Sequence, residues 1–162
     1  MALYIISNNT AGSLQNINTV HTITSVYSKA AASGITLSRA FIYDFEVGTV
    51  GAPNSTDCAV SWDIMRATST GTASTGVVNN LDPADTAASH DGFVNHTAEG
   101  ITTANSQLWQ LSANQRASYR WVVNPGGPGE LVVPATASNG AIVRGLSTTY
   151  ASTANATVYF RE

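Results

Sequence analysis

An all-β fold is what this 162-residue sequence predicts: a two-sheet antiparallel sandwich, jelly-roll-like, with one or two short helices. Three observations lead there. Apolar and polar residues alternate with period two along most of the chain. Val, Ile, Thr, Tyr, Phe and Trp gather in short runs separated by Gly, Pro, Asn and Ser clusters. Helical periodicity is nearly absent. Eight to ten short strands on one chain of this length suit a sandwich or jelly roll.

The strands are expected at 2–7, 20–27, 38–47, 57–68, 105–112, 115–123, 129–135, 140–148 and 155–162, with a weaker one at 74–80. Faces follow from the alternation. Over 38–47, Phe41, Tyr43, Phe45 and Val47 share a side against Ile42, Asp44 and Glu46. Over 57–68, Cys58, Val60, Trp62 and Ile64 oppose Ser61, Asp63 and Met65. Over 115–123, Ala117, Tyr119, Trp121 and Val123 oppose Ser118, Arg120 and Val122. Over 155–162, Ala156, Val158 and Phe160 oppose Thr157, Tyr159 and Arg161. Residues 25–33 have the pattern of a helical turn or two before Gly34. Residues 82–90, "DPADTAASH", predict a short helix: Asp82 caps, Pro83 suits the first position, and Asp85 adds negative charge to the first turn. "NPGGPGE" (124–130) predicts a hairpin connection between "SYRWVV" and "LVV", and its spacing is not that of a phosphate-cradling loop. Residues 1–19 hold either an N-terminal arm on a neighbour or a first strand with its loop. Residues 20–162 form a single β-sandwich domain.

Charge is scarce. Asp, Glu, Lys and Arg make up 10% of the chain, against roughly 25% in an average soluble domain. Hydroxyls and amides supply the polarity instead, as suits faces that meet other protein. The formal net charge is -3. The seven basic residues, Lys29, Arg39, Arg66, Arg116, Arg120, Arg144 and Arg161, form no stripe, so no nucleic-acid partner is expected. No run reaches a membrane span and no signal-peptide pattern opens the chain. No membrane partner and synthesis in a cytoplasm are therefore expected. Cys58, the lone cysteine, has no internal disulfide partner and reads as a small hydrophobe.

Chemistry-bearing patterns are few. "HDGFVNH" offers His90, Asp91 and His96 as metal ligands if it is a loop, against the alternative of a plain polar loop; a metal site needs three or four aimed ligands. His96 and Glu99 lack the partner histidine that a cupin's H-x-H pair would give. Asp44/Glu46 and Asp82/Asp85 are carboxylate pairs; on a strand the first is about 7 Å apart, a separation a glycosidase could use. G-x-S-x-G is absent. Tyr27, Trp62, Trp109, Tyr150 and Tyr159 would bind carbohydrate if an exposed row held two or three of them, and are core otherwise. Arg116 and Arg120 face solvent or a subunit contact. The chain is expected not to be an enzyme, with no catalytic, cofactor-binding or metal residues and no cofactor.

One combination of segments goes further. "AVSWDIMRATSTGTASTGVVNNLDPAD" (59–85) precedes "QLWQLSANQRASYRWVVNPGGPGELVVPATASNGAIVRGLSTTYASTANATVYFRE" (107–162). The W-x-I-x-R strand, a Gly/Thr hairpin, "LDPAD", "NQRASYRWV", the Pro/Gly turn and the terminal "ATVYFRE" resemble small virion proteins of tailed bacteriophages, of the capsid decoration or cement type. The resemblance covers about the last two-thirds of the chain. It implies a jelly-roll-like homo-oligomer, commonly a trimer, that binds the major capsid protein and sits on the capsid surface of the virion. It carries no catalytic residues. A tail, baseplate or fibre-tip module that binds receptor glycans is the alternative, and an enzyme on a sandwich fold is a third reading.

Overall fold

The computed structural model describes residues 1–11, 14–30, 36–150 and 153–162. Thirteen strands account for its regular structure: β1 (Leu3–Ser7), β2 (Gln15–Asn16), β3 (His21–Ser28), β4 (Ala40–Val50), β5 (Ala59–Ala67), β6 (Thr72–Gly76), β7 (Asn79–Asn80), β8 (His90–Ala98), β9 (Thr102–Asn114), β10 (Tyr119–Val122), β11 (Leu131–Val133), β12 (Gly140–Leu146) and β13 (Thr153–Arg161). Among the described residues, a single 3-10 turn covers Asn8–Ala11. One sheet has the order β10-β4-β13-β1-β7, with β11 also on β4 and β2 also on β13. The other has the order β6-β8-β3-β12-β5-β9. We call them sheets A and B. Every pairing is antiparallel. The chain crosses between the sheets at β2–β3, β3–β4, β4–β5, β6–β7, β7–β8, β9–β10, β11–β12 and β12–β13, a jelly-roll-like winding.

The inward faces of the two sheets make one core. Sheet A contributes Tyr4, Ile6, Ile42, Phe45, Val47, Val158 and Phe160, and sheet B contributes Ile23, Val26, Val60, Trp62, Ile64, Val94 and Val143, all essentially solvent-free. Each such side chain contributes roughly 1.5–3 kcal/mol on burial. The sheets interlock at one close approach. Gly76 and Gly92 are register partners in sheet B. A Cβ on Gly92 would lie 2.0 Å from Ile6 Cδ1, and one on Gly76 2.8 Å from the same atom. Two glycines therefore make the slot that admits an isoleucine from the opposite sheet.

Asn8 closes a gap. Strand β13 pairs with β1 as far as Ser7↔Thr157 and with β2 from Gln15↔Ala154. Between them the Asn8 amide stands in for a strand: its Nδ2 donates to the Ala154 carbonyl at 3.0 Å, and its Oδ1 accepts from Ala156 N–H at 2.9 Å. The same Nδ2 donates to Asn95 Oδ1 of sheet B at 3.1 Å. Residues 1–11 and 14–19 thus supply strands β1 and β2 of sheet A, and the turn at Asn8 seals the ladder between them.

Four expectations are corrected. The helix over 82–90 does not form. Asp82 does cap, with Oδ1 accepting from Ala84 N–H at 2.9 Å, but the turn stops there. Asn80 Nδ2 donates to the carbonyls of Asp85 and Thr86, and Tyr4 Oη donates to Thr86 O. The carbonyls a helix would use are already occupied. Of residues 25–33, those up to Ser28 belong to β3, and 31–33 lie outside the described residues. Second, "HDGFVNH" is not a loop but most of β8, paired on both sides.

Third, the alternation on β4 breaks at Tyr43. Tyr159 pairs with Asp44 and Phe160 with Ile42, so Tyr43 is an extra, bulged residue. Before it Ala40 and Ile42 point inward; after it Phe45 and Val47 do. Phe41 is left on the outer face beneath the Arg161 guanidinium, 4.1 Å from the ring centre. Fourth, "NPGGPGE" is not a hairpin turn. Strands β10 and β11 both run antiparallel to β4, at residues 44–47 and 40–42, so they are one edge strand interrupted by an excursion. Gly126 and Gly129 take φ of 82° and 101° there, and Glu130, held by Arg161 at 2.6 Å, accepts from Gly126 N–H.

Asn8→Ala leaves the Ala154 carbonyl and the Ala156 N–H of a buried ladder without partners. It should cost about 3 kcal/mol, read as a lower urea midpoint at unchanged slope.

Candidate functional site

The two histidines of β8 end in separate environments. His90, at the start of the strand, points inward, with Nδ1 2.8 Å from Glu162 Oε1 and its ring edge-on to Phe160. Glu162 also accepts from Ser89 N–H at 3.0 and 2.9 Å. Burial alone would raise the Glu162 carboxyl; the bonds from His90 and Ser89 outweigh it and hold it below its ordinary 4.5. His96 lies beyond Asn95, whose φ of 51° turns the strand through a left-handed step. Its Nε2 is 3.0 Å from Ser25 Oγ. Burial pushes this imidazole below its ordinary 6.5, with Glu99 opposing the shift more weakly. Asp91 is on the surface, 4.0 Å from Lys29 Nζ. Among the described residues, no group of three His, Cys, Asp or Glu side chains could hold a metal ion.

Ser25 and His96 have the separation of a nucleophile and its base. Both are fully buried, and no carboxylate is hydrogen-bonded to the far side of the ring. Glu99 is engaged instead by Thr22, accepting from its N–H at 2.8 Å and from its hydroxyl. The pair is a hydrogen bond between strands β3 and β8.

The carboxylate pairs are equally committed. Asp44 and Glu46 lie on the outer face of sheet A with one guanidinium between them: Arg120 Nη2 is 2.5 Å from Asp44 Oδ2, and its Nε is 3.4 Å from Glu46 Oε1. A general acid and base need separately poised protons, and here a shared cation holds both groups. Asp82 and Asp85 belong to the exposed turn. Arg116 pairs with Asp57 at 2.8 Å.

The aromatic residues do not form an exposed row. Tyr27, Trp62 and Tyr150 are buried. Trp109, Tyr119 and Trp121 are half-buried around Phe45, with ring centres 4.8–5.5 Å apart. Tyr159 sits beside Tyr43 on the outer face of sheet A. Cys58 is half-buried against the core, with Sγ 3.3 Å from Gln115 Oε1.

What the sequence did not single out is a depression of about 240 Å³ on the outer face of sheet B, lined by Val20, Ser61, Asp63, Gln110, Arg144 and Leu146 with Trp62 and Gly145 at its base. Arg144 and Asp63 are cross-strand partners and form a forked pair, Nε–Oδ1 2.8 Å and Nη2–Oδ2 2.5 Å. The depression offers donors and acceptors to a small polar ligand. It holds no nucleophile with a base beside it. Asp63 and Arg144 are 81 apart in the chain, so only the register of β5 against β12 could reveal their pairing. Comparison with protein-family models, with curated proteins and with solved structures finds no match to this chain.

The depressed His96 value makes stability depend on pH. The unfolded chain takes up a proton that the folded one refuses, so this contribution is complete above about pH 6.5 and is lost as pH falls through the folded value. The carboxyls of Glu130 and Glu162, held low by their partners, act only below about 4.5. Urea midpoints should drop between about pH 7.5 and about pH 5 in the native chain, and His96→Gln should flatten that interval.

Proposed function

We propose that this chain is a structural virion protein of the capsid decoration or cement type, which binds the outer surface of the capsid and stabilises the head by multivalent contacts as a homo-oligomer. The observation that carries this reading is the disposal of charge. Five of the seven basic side chains are paired within the chain: Lys29 with Asp91, Arg116 with Asp57, Arg120 with Asp44 and Glu46, Arg144 with Asp63, and Arg161 with Glu130. Among the described residues, only Arg39 and Arg66 of the cations are without an ion-pair partner. A surface of hydroxyls, amides and charges that already hold partners leaves few lone charges for a covering protein to desolvate. The segment resemblance to phage decoration proteins points to the same role, and the committed Ser25, His96, Asp44 and Glu46 side chains give an enzymatic reading no open site to work with.

A second reading, a tail, baseplate or fibre-tip module that binds receptor glycans, draws on the depression around Asp63, Arg144 and Gln110, whose size and planar polar groups suit one sugar ring. The missing aromatic row weighs against it.

The test is co-sedimentation with undecorated capsids of the source phage, titrated to saturation, beside a glycan array. A binding plateau together with a higher capsid disruption temperature is the expected result. Glycan binding with no capsid binding would transfer the assignment to the second reading.

A further inference from the structure

We infer that two copies of this chain pair through strand β9, edge to edge and antiparallel about a two-fold axis at Leu111, joining their B sheets into one. A sheet edge exposes unpaired backbone N–H and C=O groups, and folded proteins blunt such edges with short strands, charges, prolines or bulges. Three of the four edges here are blunted. Strand β7 has two residues; β10 and β11 have four and three, separated by Pro125 and Pro128; β6 has five and is bulged against β8. Strand β9 is the exception. It runs for 13 residues at the end of sheet B, and among the described residues only its β5 side is paired.

The first half of β9 is distorted. The register shifts on either side of Met65, and Asn105 takes a φ of 55°. From Trp109 to Asn114 the ladder with β5 is regular. From Gly100 to Gln115 the chain contains no charged residue and no proline.

The regular segment fits itself. Trp109, Leu111 and Ala113 point inward, in register with Ile64, Trp62 and Val60, and all three remain part-exposed at the flank of the sandwich. Gln110 and Ser112 point outward. With the axis at Leu111, Trp109 falls opposite Ala113 of the other copy, Leu111 opposite itself, and Gln110 opposite Ser112. Large meets small on the inner face, amide meets hydroxyl on the outer, and no like charges are opposed. Shifting the axis to Ser112 would set Trp109 opposite Gln115, beyond the end of β9 at Asn114. Shifting it to Gln110 brings in the bulged half. The contact also covers the flank where Trp109 meets Tyr119. An isologous contact of this kind closes as a pair, in place of the trimer that the resemblance implies.

This deepens the homo-oligomeric part of the proposed function and is tested without capsids, so capsid binding and pairing can fail separately. Light scattering on the eluting native chain should give the mass of two copies. Leu111→Lys and Leu111→Glu should each give one copy with a native circular dichroism spectrum, because each opposes like charges on the axis, and an equimolar mixture of the two should pair again. A native chain of one or three copies, variants that keep the native mass, or a mixture that stays monomeric would each overturn the inference. If the Leu111 variants do not fold, Gln110→Cys and Ser112→Cys copies, changed at exposed positions, decide it. A disulfide-linked species found in their oxidised mixture and not with the native chain supports the register, and its absence overturns it.

Discussion

The pairing of β4 with β13 is the contact on which the rest of the molecule depends. It joins residues 41–50 to residues 153–161, and both strands lie at the centre of sheet A. Its inward pairs, Val47 with Ala156, Phe45 with Val158 and Ile42 with Phe160, form the floor onto which sheet B closes. Everything laid against that floor is also distant in sequence, since the two sheets exchange strands at almost every turn. A chain wired this way pays its loop-closure entropy before most contacts form, which places it among slow-folding topologies.

The Tyr43 bulge shows how one extra residue redirects function-bearing side chains. On a regular β4, Phe41 would enter the core and Ile42 would face outward. With the bulge, the outer face of sheet A instead receives Phe41 beneath Arg161, beside the Asp44 and Glu46 that alternation already placed there around Arg120. The ion pairs of this face are therefore cross-strand pairs set by register. Arg120 reaches Asp44 and Glu46 because β10 lies on residues 44–47 of β4. Arg144 reaches Asp63 because β12 pairs with β5. A chain with few charges spends most of them on its own sheets, and the surface left over is neutral and hydrogen-bonding. That is the physical link between the composition and the structural role we propose.

The candidate site was far less legible than the fold. The inward faces of 57–68, 115–123 and 155–162 could be read from alternation alone, because each is buried on one side only and its apolar residues mark that side. Strand β8 could not. Its inward positions begin His90, Gly92, Val94, and two of these are not apolar because what faces them is particular: Glu162 meets the histidine, and Ile6 enters the space a side chain at Gly92 would fill. The helix over 82–90 failed for a related reason. Asp82 and Pro83 are good helix-starting residues, but Asn80 and Tyr4 take the carbonyls that would have continued it.

By itself the sequence determined the class: an all-β sandwich, poor in charge, with strands close to where its apolar alternation placed them. The tertiary structure alone decided the partners: Arg144 with Asp63, His90 with Glu162, Asn8 with the gap in β13, and β9 with a free edge. The reason is that alternation is a local property of a pleated strand and is written residue by residue. Which strand lies alongside, and in what register, depends on side chains tens of residues away that fill the same gap. The chemistry of each group follows from that neighbour and not from its own place in the chain.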